Sequence, residues 1–222
     1  MGLVTALMFQ DRNFVGREYF AALDAAGKRP DLVVAVGQMR DESIIRERAR
    51  TGGLWEPPSI PDNVTVHRFD RLDDHNLLSL LFERDIDIAI QAGIGILKSP
   101  LLDAPRLGFL NVHPGRLPQY RGNNCPEWAI RNGDPVVATA HLIDIGIDTG
   151  PVICAAPYHP AIKGYAGFRA GLYTHCAEVL IEALSRLERG GLVAATTQDE
   201  TGAHYWPPIS KAEMTVVRER LA

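Results

Sequence analysis

Short apolar runs alternate with helix-like segments in the first part of this chain, and this alternation restricts the folds that it can adopt. Runs of strand length occupy residues 3–9, 31–37 and 87–92, and helical spacing of apolar side chains marks 14–27 and 74–84. Strands that alternate with helices predict βαβ units and a parallel sheet with helices on its faces. In such sheets, ligands bind beyond the carboxyl ends of the strands, so chemistry is expected there.

The pattern changes in the second half of the chain. A strand at 109–112 stops at Pro114, and two further strand-like runs, 136–143 and 152–158, lie too close together for a helical crossover. We expect these two runs to form a hairpin. A long helix is predicted over about 166–189. No segment has the composition of a linker, so the 222 residues are expected to form a single α/β domain with a mostly parallel, twisted sheet.

The composition argues against several classes of protein. A formal net charge of −4 does not favour nucleic acid as a partner, because nucleic-acid-binding domains are usually basic. The three cysteines form no CxxC pair, which predicts no metal site and suits a reducing cytoplasm. No apolar run approaches the roughly 20 residues of a membrane span, and the N-terminus lacks the basic region of a signal peptide. A cytoplasmic protein without membrane contact is therefore expected.

One glycine motif only partly matches a dinucleotide-binding site. Gly93-Ile94-Gly95 matches the start of a dinucleotide-binding fingerprint, but Lys98 occupies the place of the third glycine. A tight strand-to-helix turn is the simpler interpretation. Phosphate loops, HExxH zinc sites and GxSxG hydrolase motifs are missing from the sequence.

The stretch with the most chemical information is NVHPGRLPQYRG, residues 111–122. Asn111 and His113 are two residues apart at the end of a strand, so their side chains point to the same face, while Val112 points into the packing. Pro114 cannot continue a central strand, which places His113 at the rim where ligands bind. Taken singly, Asn111 also suits a turn and His113 a structural role.

A second polar motif surrounds Asp148. Gly146 and Gly150 flank this aspartate and allow a ligand to approach the backbone closely. If the two motifs share one rim, the side chains suit acyl transfer to an amine. Asn111 and a protonated His113 can stabilise the carbonyl oxygen as it gains charge, and Asp148 can hold the imidazole or move protons. A plain turn aspartate is the alternative.

Together the motifs resemble the catalytic domain of the folate-dependent formyltransferases, which include glycinamide ribonucleotide transformylases, methionyl-tRNA formyltransferases and sugar N-formyltransferases. In that family an Asn-x-His-Pro run opens the active site, and an Asp-x-Gly follows at a separation similar to the 148 − 113 = 35 residues found here. The resemblance implies a Rossmann-like fold over residues 1–209, a C-terminal extension over 210–222, catalytic roles for Asn111, His113 and Asp148, and 10-formyltetrahydrofolate as formyl donor.

The resemblance also implies a pterin pocket formed by the segments 90–97 and 142–147. Family members bind the pterin largely through backbone groups, so apolar side chains suffice there, and core packing is the alternative role for them. The folate-binding residues predicted in this way are Ile90, Ile94, Gly95, Ile96, Leu97, Leu142, Asp144, Ile145, Gly146 and Ile147.

The sequence constrains the identity of the acceptor substrate less than that of the formyl donor. Glycinamide ribonucleotide transformylases have a Gly-rich phosphate loop after the first strand, where this chain has QDRNF at 10–14, so a backbone cradle for phosphate is not expected. Methionyl-tRNA formyltransferases continue into a second domain, whereas this chain ends after a segment that resembles their junction. We therefore expect a small-molecule amine as acceptor, with a nucleotide-linked amino sugar as the leading candidate, and no nucleic acid partner.

Several alternatives stay open. The amine could belong to an amino acid, hydroxylamine or glycinamide ribonucleotide. The same trio could instead hydrolyse formyltetrahydrofolate, or the chain could bind folate without turnover. A homodimer is one option for the oligomeric state. Candidate acceptor contacts, each of which equally suits an exposed surface position, are Arg12, Trp55, Arg116, Tyr120 and Arg121.

Overall fold

The computed structural model describes residues 2–222, so Met1, the first residue of the expected catalytic domain, lies outside the described residues. The strands are β1 (Thr5–Asp11), β2 (Leu32–Gln38), β3 (Val66–Phe69), β4 (Ile88–Ala92), β5 (Gly108–His113), β6 (Arg121–Gly122), β7 (Val137–Leu142), β8 (Val152–Pro157) and β9 (Tyr205–Trp206). The helices are α1 (Phe14–Ala25), α2 (Asp41–Thr51), α3 (His75–Glu83), α4 (Cys125–Asn132), α5 (Gly164–Gly190) and α6 (Lys211–Leu221).

The predicted parallel sheet is confirmed. Seven strands form one sheet in the order β3-β2-β1-β4-β5-β7-β8. The first five strands of the chain pair in parallel, whereas β7 runs antiparallel to both β5 and β8. The expected hairpin of β7 and β8 is therefore also confirmed. The carboxyl ends of β1, β4 and β5 lie side by side, as the Rossmann-like prediction requires.

Helices cover both faces of the sheet. Alternate side chains of β1 enter different cores: Leu7 and Phe9 pack with α1 and α5, whereas Ala6 and Met8 pack with α3. All four side chains are almost fully buried. This three-layer α/β arrangement confirms the predicted fold class. Among the described residues, no helix is both long and apolar enough to cross a bilayer.

The turn after β4 differs from expectation. Gly93 (φ 80°) and Gly95 (φ 94°) turn the chain sharply, but the expected helix after this turn is wrong, because the described segment reaches β5 through a series of turns instead. Pro100 and Pro105 lack the backbone N–H groups that a helix would need there.

The C-terminal segment returns to the middle of the chain. β9 pairs in parallel with β6, and the Trp206 ring lies 5.4 Å from the Tyr120 ring and 4.8 Å from the Trp128 ring. Helix α6, within the predicted extension, packs against α4 and α5 and buries Val217. The division of the chain at residue 209 stays a prediction.

Candidate active site

The end of β5 places Asn111 beside a histidine that the sequence analysis did not identify. In the antiparallel pairing of β5 with β7, Asn111 lies opposite His141. Asn111 Nδ2 is 3.1 Å from His141 Nε2, while His141 Nδ1 is 2.9 Å from the Leu142 carbonyl oxygen. The neutral tautomer that donates from Nδ1 to that carbonyl therefore accepts from the Asn111 amide.

Asp148 reaches the same cluster from the loop between β7 and β8. Its Oδ1 lies 3.5 Å from His113 Nδ1 and 3.7 Å from His141 Nε2. Its Oδ2 accepts a 2.9 Å hydrogen bond from the Gly122 amide. The structure thus brings together Asn111, His113 and Asp148, with His141 as a fourth member. We call these four residues the β5-end cluster.

The His113 ring lies between two acceptors. Its Nδ1 faces the Asp148 carboxylate, and its Nε2 is 2.7 Å from the Tyr120 carbonyl oxygen. Both ring nitrogens of His113 therefore face oxygen acceptors. Gly115 permits the close packing, because a Cβ at this position would lie 2.5 Å from both His113 Nε2 and the Tyr120 oxygen.

The pKa of His141 is lowered from its usual 6.5 to about 4, first by burial and second by the proximity of His113. His141 is therefore neutral near pH 7 and keeps its Nε2 as an acceptor. A sequence signal was present: His141 is the one ionisable residue in the run 137–142. Its role could have been predicted only by pairing that run with the strand that carries Asn111.

The large apolar residues among the predicted folate-binding residues divide into two groups. Ile90, Ile94, Leu97 and Leu142 are buried in the hydrophobic cores. The other isoleucines are exposed on the two loops beside the β5-end cluster, with exposed fractions of 74% for Ile96, 97% for Ile145 and 49% for Ile147.

Asp144 shapes the second of these loops. Its Oδ1 accepts hydrogen bonds from the Gly146 amide at 3.1 Å and from Thr149 Oγ1 at 2.6 Å. Gly95 provides the left-handed turn in the first loop. Both residues therefore have clear conformational roles in addition to the predicted contact with folate.

A cavity of about 280 Å³ lies on the other side of β5. Val112 lines it, and because its side chain alternates with those of Asn111 and His113, the cavity and the β5-end cluster flank the same strand. Further lining residues are Asn13, Phe14, Met39, Glu47, Pro114, Arg169, Leu172 and Tyr173. The cavity thus combines apolar walls with a polar end formed by Glu47 and Arg169.

These polar residues are part of a largely buried ionic cluster, which consists of Glu47, Arg50, Glu127 and Arg169. Arg50 lies 2.9 Å from Glu127, and Arg169 lies 2.9 Å from Glu47 and 3.4 Å from Glu127. Burial opposes ionisation of Glu47, but Arg169 and Arg50 outweigh it and lower the pKa of this carboxyl. Two carboxylates and two guanidinium groups balance each other in charge.

The suggested acceptor contacts are mostly engaged elsewhere. Arg121 is buried behind Asp148, and the Tyr120 hydroxyl donates to Asp134 at 2.5 Å. Trp55 stacks on Tyr173 with ring centroids 4.3 Å apart. Arg12 does not line the 280 Å³ cavity; it pairs with Asp41 on the surface.

Arg116 is exposed. Within residues 2–222, no group of three or more His, Cys, Asp or Glu side chains is arranged to hold a metal ion.

Comparison with known proteins gives a consistent result. Residues 66–163 match the formyl transferase family. A methionyl-tRNA formyltransferase from Parvibaculum lavamentivorans is 39% identical over 180 residues, which cover 74% of this chain and 56% of that protein. The predicted resemblance to formyltransferases is thereby confirmed. The chain spans little more than half the length of this relative, however, so the activity of the relative does not transfer to the chain as a finding.

Solved structures support the fold. A phosphoribosylglycinamide formyltransferase from Streptococcus pneumoniae superposes with a TM-score of 0.59 at 22% identity, covering 83% of this chain and 99% of that one. A 4-N formyltransferase from Francisella tularensis gives a TM-score of 0.61 at 14% identity, covering 98% and 87%. At such identities the likeness concerns the fold alone.

Proposed function

We propose that this chain, which resembles the catalytic domain of the folate-dependent formyltransferases, transfers a formyl group from 10-formyltetrahydrofolate to an amine. The observation that carries the proposal is the β5-end cluster, in which Asp148 lies 3.5 Å from His113 and both lie beside Asn111. All these residues fall within the segment 66–163 that matches the formyl transferase family.

The cluster can supply each step of acyl transfer. The Asn111 amide gives one N–H to His141 and has a second N–H for the formyl oxygen. A protonated His113 adds positive charge next to the oxyanion that forms when the amine nitrogen bonds to the formyl carbon. Asp148 Oδ1 makes only long contacts, so it can accept the proton that the amine loses. That proton passes to N10 of the folate as its bond to the formyl carbon breaks.

The donor is proposed to bind between the two loops that carry the exposed isoleucines. Ile96 and Ile145 are large apolar side chains in contact with solvent next to a polar site, and such exposure is typical of a ligand-binding surface. A planar pterin between these loops would cover them. The remaining predicted contacts in 90–97 and 142–147 would then act through the backbone or from the core behind it.

The acceptor is proposed to be a small amine, with a nucleotide-linked amino sugar as the leading candidate. Pro114 lines the 280 Å³ cavity and directly follows His113, so a ligand there lies near the β5-end cluster. Its apolar walls suit the face of a sugar ring, and Glu47 and Arg169 offer hydrogen-bond partners to hydroxyl groups.

Methionyl-tRNA is the second candidate. The 39% identity to a protein named methionyl-tRNA formyltransferase favours it. The side chains of Met39, Val112 and Leu172 in the same cavity would also suit an unbranched thioether chain.

An acceptor screen tests the proposal. The protein is incubated with 10-formyltetrahydrofolate and a panel of nucleotide-linked amino sugars, free amino acids, hydroxylamine, glycinamide ribonucleotide and methionyl-tRNA. Release of tetrahydrofolate and the mass of the formylated product are followed together. Formate release without any amine would support a hydrolase instead. Binding of 5-formyltetrahydrofolate without turnover of any acceptor would support a silent folate-binding protein.

A further inference from the structure

Asp148 adopts a backbone conformation that needs support. Its φ of 57° lies in the left-handed region, which is unfavourable for a residue other than glycine. Since the proposed reaction depends on where this carboxylate points, the groups that hold its backbone are of functional interest. Two side chains outside the β5-end cluster do so, Gln198 and Arg121.

Gln198 holds the loop on both sides of Thr149. Its Nε2 donates to the Asp148 carbonyl at 2.9 Å and to the Gly150 carbonyl at 2.7 Å. Its Oε1 accepts from Arg121 Nη2 at 2.7 Å. The residue is 9% exposed, and each polar atom of its side chain is used. A buried amide that satisfies two carbonyl groups of one loop fixes the orientation of the peptide units between them.

Arg121 supports the same peptide from a different direction. Its Nε donates to the Asp148 carbonyl at 3.1 Å, and its remaining groups bind the Glu200 carboxylate at 2.8 and 2.9 Å. The next residue, Gly122, donates its amide to Asp148 Oδ2. The backbone of Asp148 and its carboxylate are therefore held by separate bonds that converge on one residue.

The segment that contains Gln198 is hydrogen-bonded to the sheet. Thr196 exchanges two backbone hydrogen bonds of 2.8 Å with Val152, at the start of β8. Because Val152 begins β8 two residues after Gly150, the segment cannot move away without disturbing the turn that contains Asp148 and Gly150.

We infer that Gln198 is a positioning residue for formyl transfer, an inference that rests on the proposed role of Asp148. Its amide keeps the Asp148 peptide in the left-handed conformation, so that Oδ1 stays against His113 and His141 while Oδ2 binds the Gly122 amide. We call the hydrogen bonds of Gln198 to the Asp148 and Gly150 carbonyls the clamp. Loss of the clamp lets the Asp148 peptide rotate and moves the carboxylate. Misplacement of a reacting group by about 1 Å can cost roughly a hundredfold in rate.

The test uses two substitutions of similar size. Gln198→Met removes both polar functions, and we expect turnover to fall about ten- to hundredfold with little change in the affinity for 5-formyltetrahydrofolate. Gln198→Glu keeps the shape, but an ionised carboxylate cannot donate to the two carbonyls, whereas the protonated acid can donate once. Its activity relative to the wild type should therefore rise as the pH is lowered. Tyr158→Phe is the matched control, because it removes a buried 2.9 Å hydrogen bond to the Phe168 carbonyl, at a residue outside the cluster, the cavity and the clamp.

A second readout does not depend on activity. Hydrogen exchange at the Gly122 amide should accelerate in Gln198→Met and stay slow in Tyr158→Phe, because only the former releases the Asp148 carboxylate. Normal turnover or unchanged Gly122 protection in Gln198→Met would overturn the inference, as would a Gln198→Glu pH profile parallel to that of the wild type. If the wild-type protein transfers no formyl group, the proposed function fails, while the exchange measurement still decides whether Gln198 holds Asp148.

Discussion

Two buried polar groups flank β5 and differ in how their charges are compensated. The ionic cluster joins two carboxylates to two guanidinium groups, with Arg50 and Glu127 2.9 Å apart. In the β5-end cluster, one carboxylate lies between two imidazoles at 3.5 and 3.7 Å. Guanidinium groups stay charged at all ordinary pH values, whereas the charge of an imidazole depends on its surroundings and on pH.

This difference indicates a division of roles. The ionic cluster is balanced in charge, with two carboxylates paired to two guanidinium groups. Among the described residues, Glu127 Oε2 and Arg169 Nε have no hydrogen-bond partner, but the balanced charges suit a structural role beside the cavity. The β5-end cluster has an unused N–H on Asn111 and a carboxylate with long contacts, so it has bonding capacity left for a substrate. Substitution of Glu127, which does not line the cavity, should mainly change stability, and substitutions in the β5-end cluster should mainly change turnover.

Asp148→Asn, in the β5-end cluster, has the largest expected effect on turnover. The substitution keeps the shape of the side chain and removes its charge and its capacity to take a proton. We expect turnover to fall by about 10²–10⁴, the usual range for a general acid or base. Steady-state kinetics would measure the loss, and circular dichroism would verify the fold. A well-folded variant with the wild-type rate would remove Asp148 from the mechanism.

Glu127→Gln tests the structural role of the ionic cluster. Glu127 is fully buried and accepts bonds from Arg50, Tyr165 and Arg169. Loss of its charge leaves the two guanidinium groups undercompensated, so the free energy of unfolding should fall by about 3–5 kcal/mol. Urea unfolding would measure this change. Glu182→Gln, which breaks an exposed i,i+4 pair with Arg186, is the control and should change stability far less, because solvent screens an exposed ion pair. Equal losses in both variants would contradict a structural role for the ionic cluster.

Asn111 and His113 can be separated by a double-mutant cycle. Each of Asn111→Ala and His113→Ala should lower turnover by about 10²–10³, typical of the loss of one oxyanion-stabilising group. Because the two groups act on one oxygen, the double variant should lose far less than the product of the two single effects. Single variants that keep full turnover but melt at lower temperature would assign both residues to structure.

His141→Gln has the smallest expected effect and concerns pH. Since burial lowers the pKa of His141 from 6.5 to about 4, the unfolded chain takes up a proton between these values that the folded protein does not. Stability should therefore fall as the pH drops through this window, by at most about 1.4 kcal/mol for each pH unit. In His141→Gln this contribution should disappear, and urea unfolding at pH 7, 6 and 5 would reveal a flatter profile. An unchanged slope would show that other groups cause the acid sensitivity.

The sequence predicted local features better than long-range ones. The two-residue spacing of Asn111 and His113 correctly predicted a shared face, because side chains alternate along any strand. His141 was missed because strand pairing, which places it opposite Asn111, does not appear in its local sequence. The exposed surface position considered for Arg121 differs from its burial in the structure for the same reason, since its partner Gln198 lies 77 residues away.

Two helices also differ between the prediction and the structure. Helix α6 was not predicted, although Ser210 and Glu213 have the spacing of a helix cap and the Ser210 side chain accepts from the Glu213 amide. The helix after Gly95 was wrong because the prolines that follow interrupt it. Local signals therefore fix where a strand or helix can start, while packing decides which of them form.

The most direct test of the account follows the formyl group itself in a single turnover. Enzyme in excess over 10-formyltetrahydrofolate with a ¹³C-labelled formyl carbon is mixed with an acceptor from the screen and quenched at intervals, and the label is assigned by NMR. We expect the label to move to the amine, with one tetrahydrofolate formed per formyl group. Asp148→Asn should slow this step, whereas Glu127→Gln, studied at a temperature where it is folded, should not. Label that stays on the folate in the wild type with every acceptor, or transfer at the same rate in Asp148→Asn, would contradict this expectation.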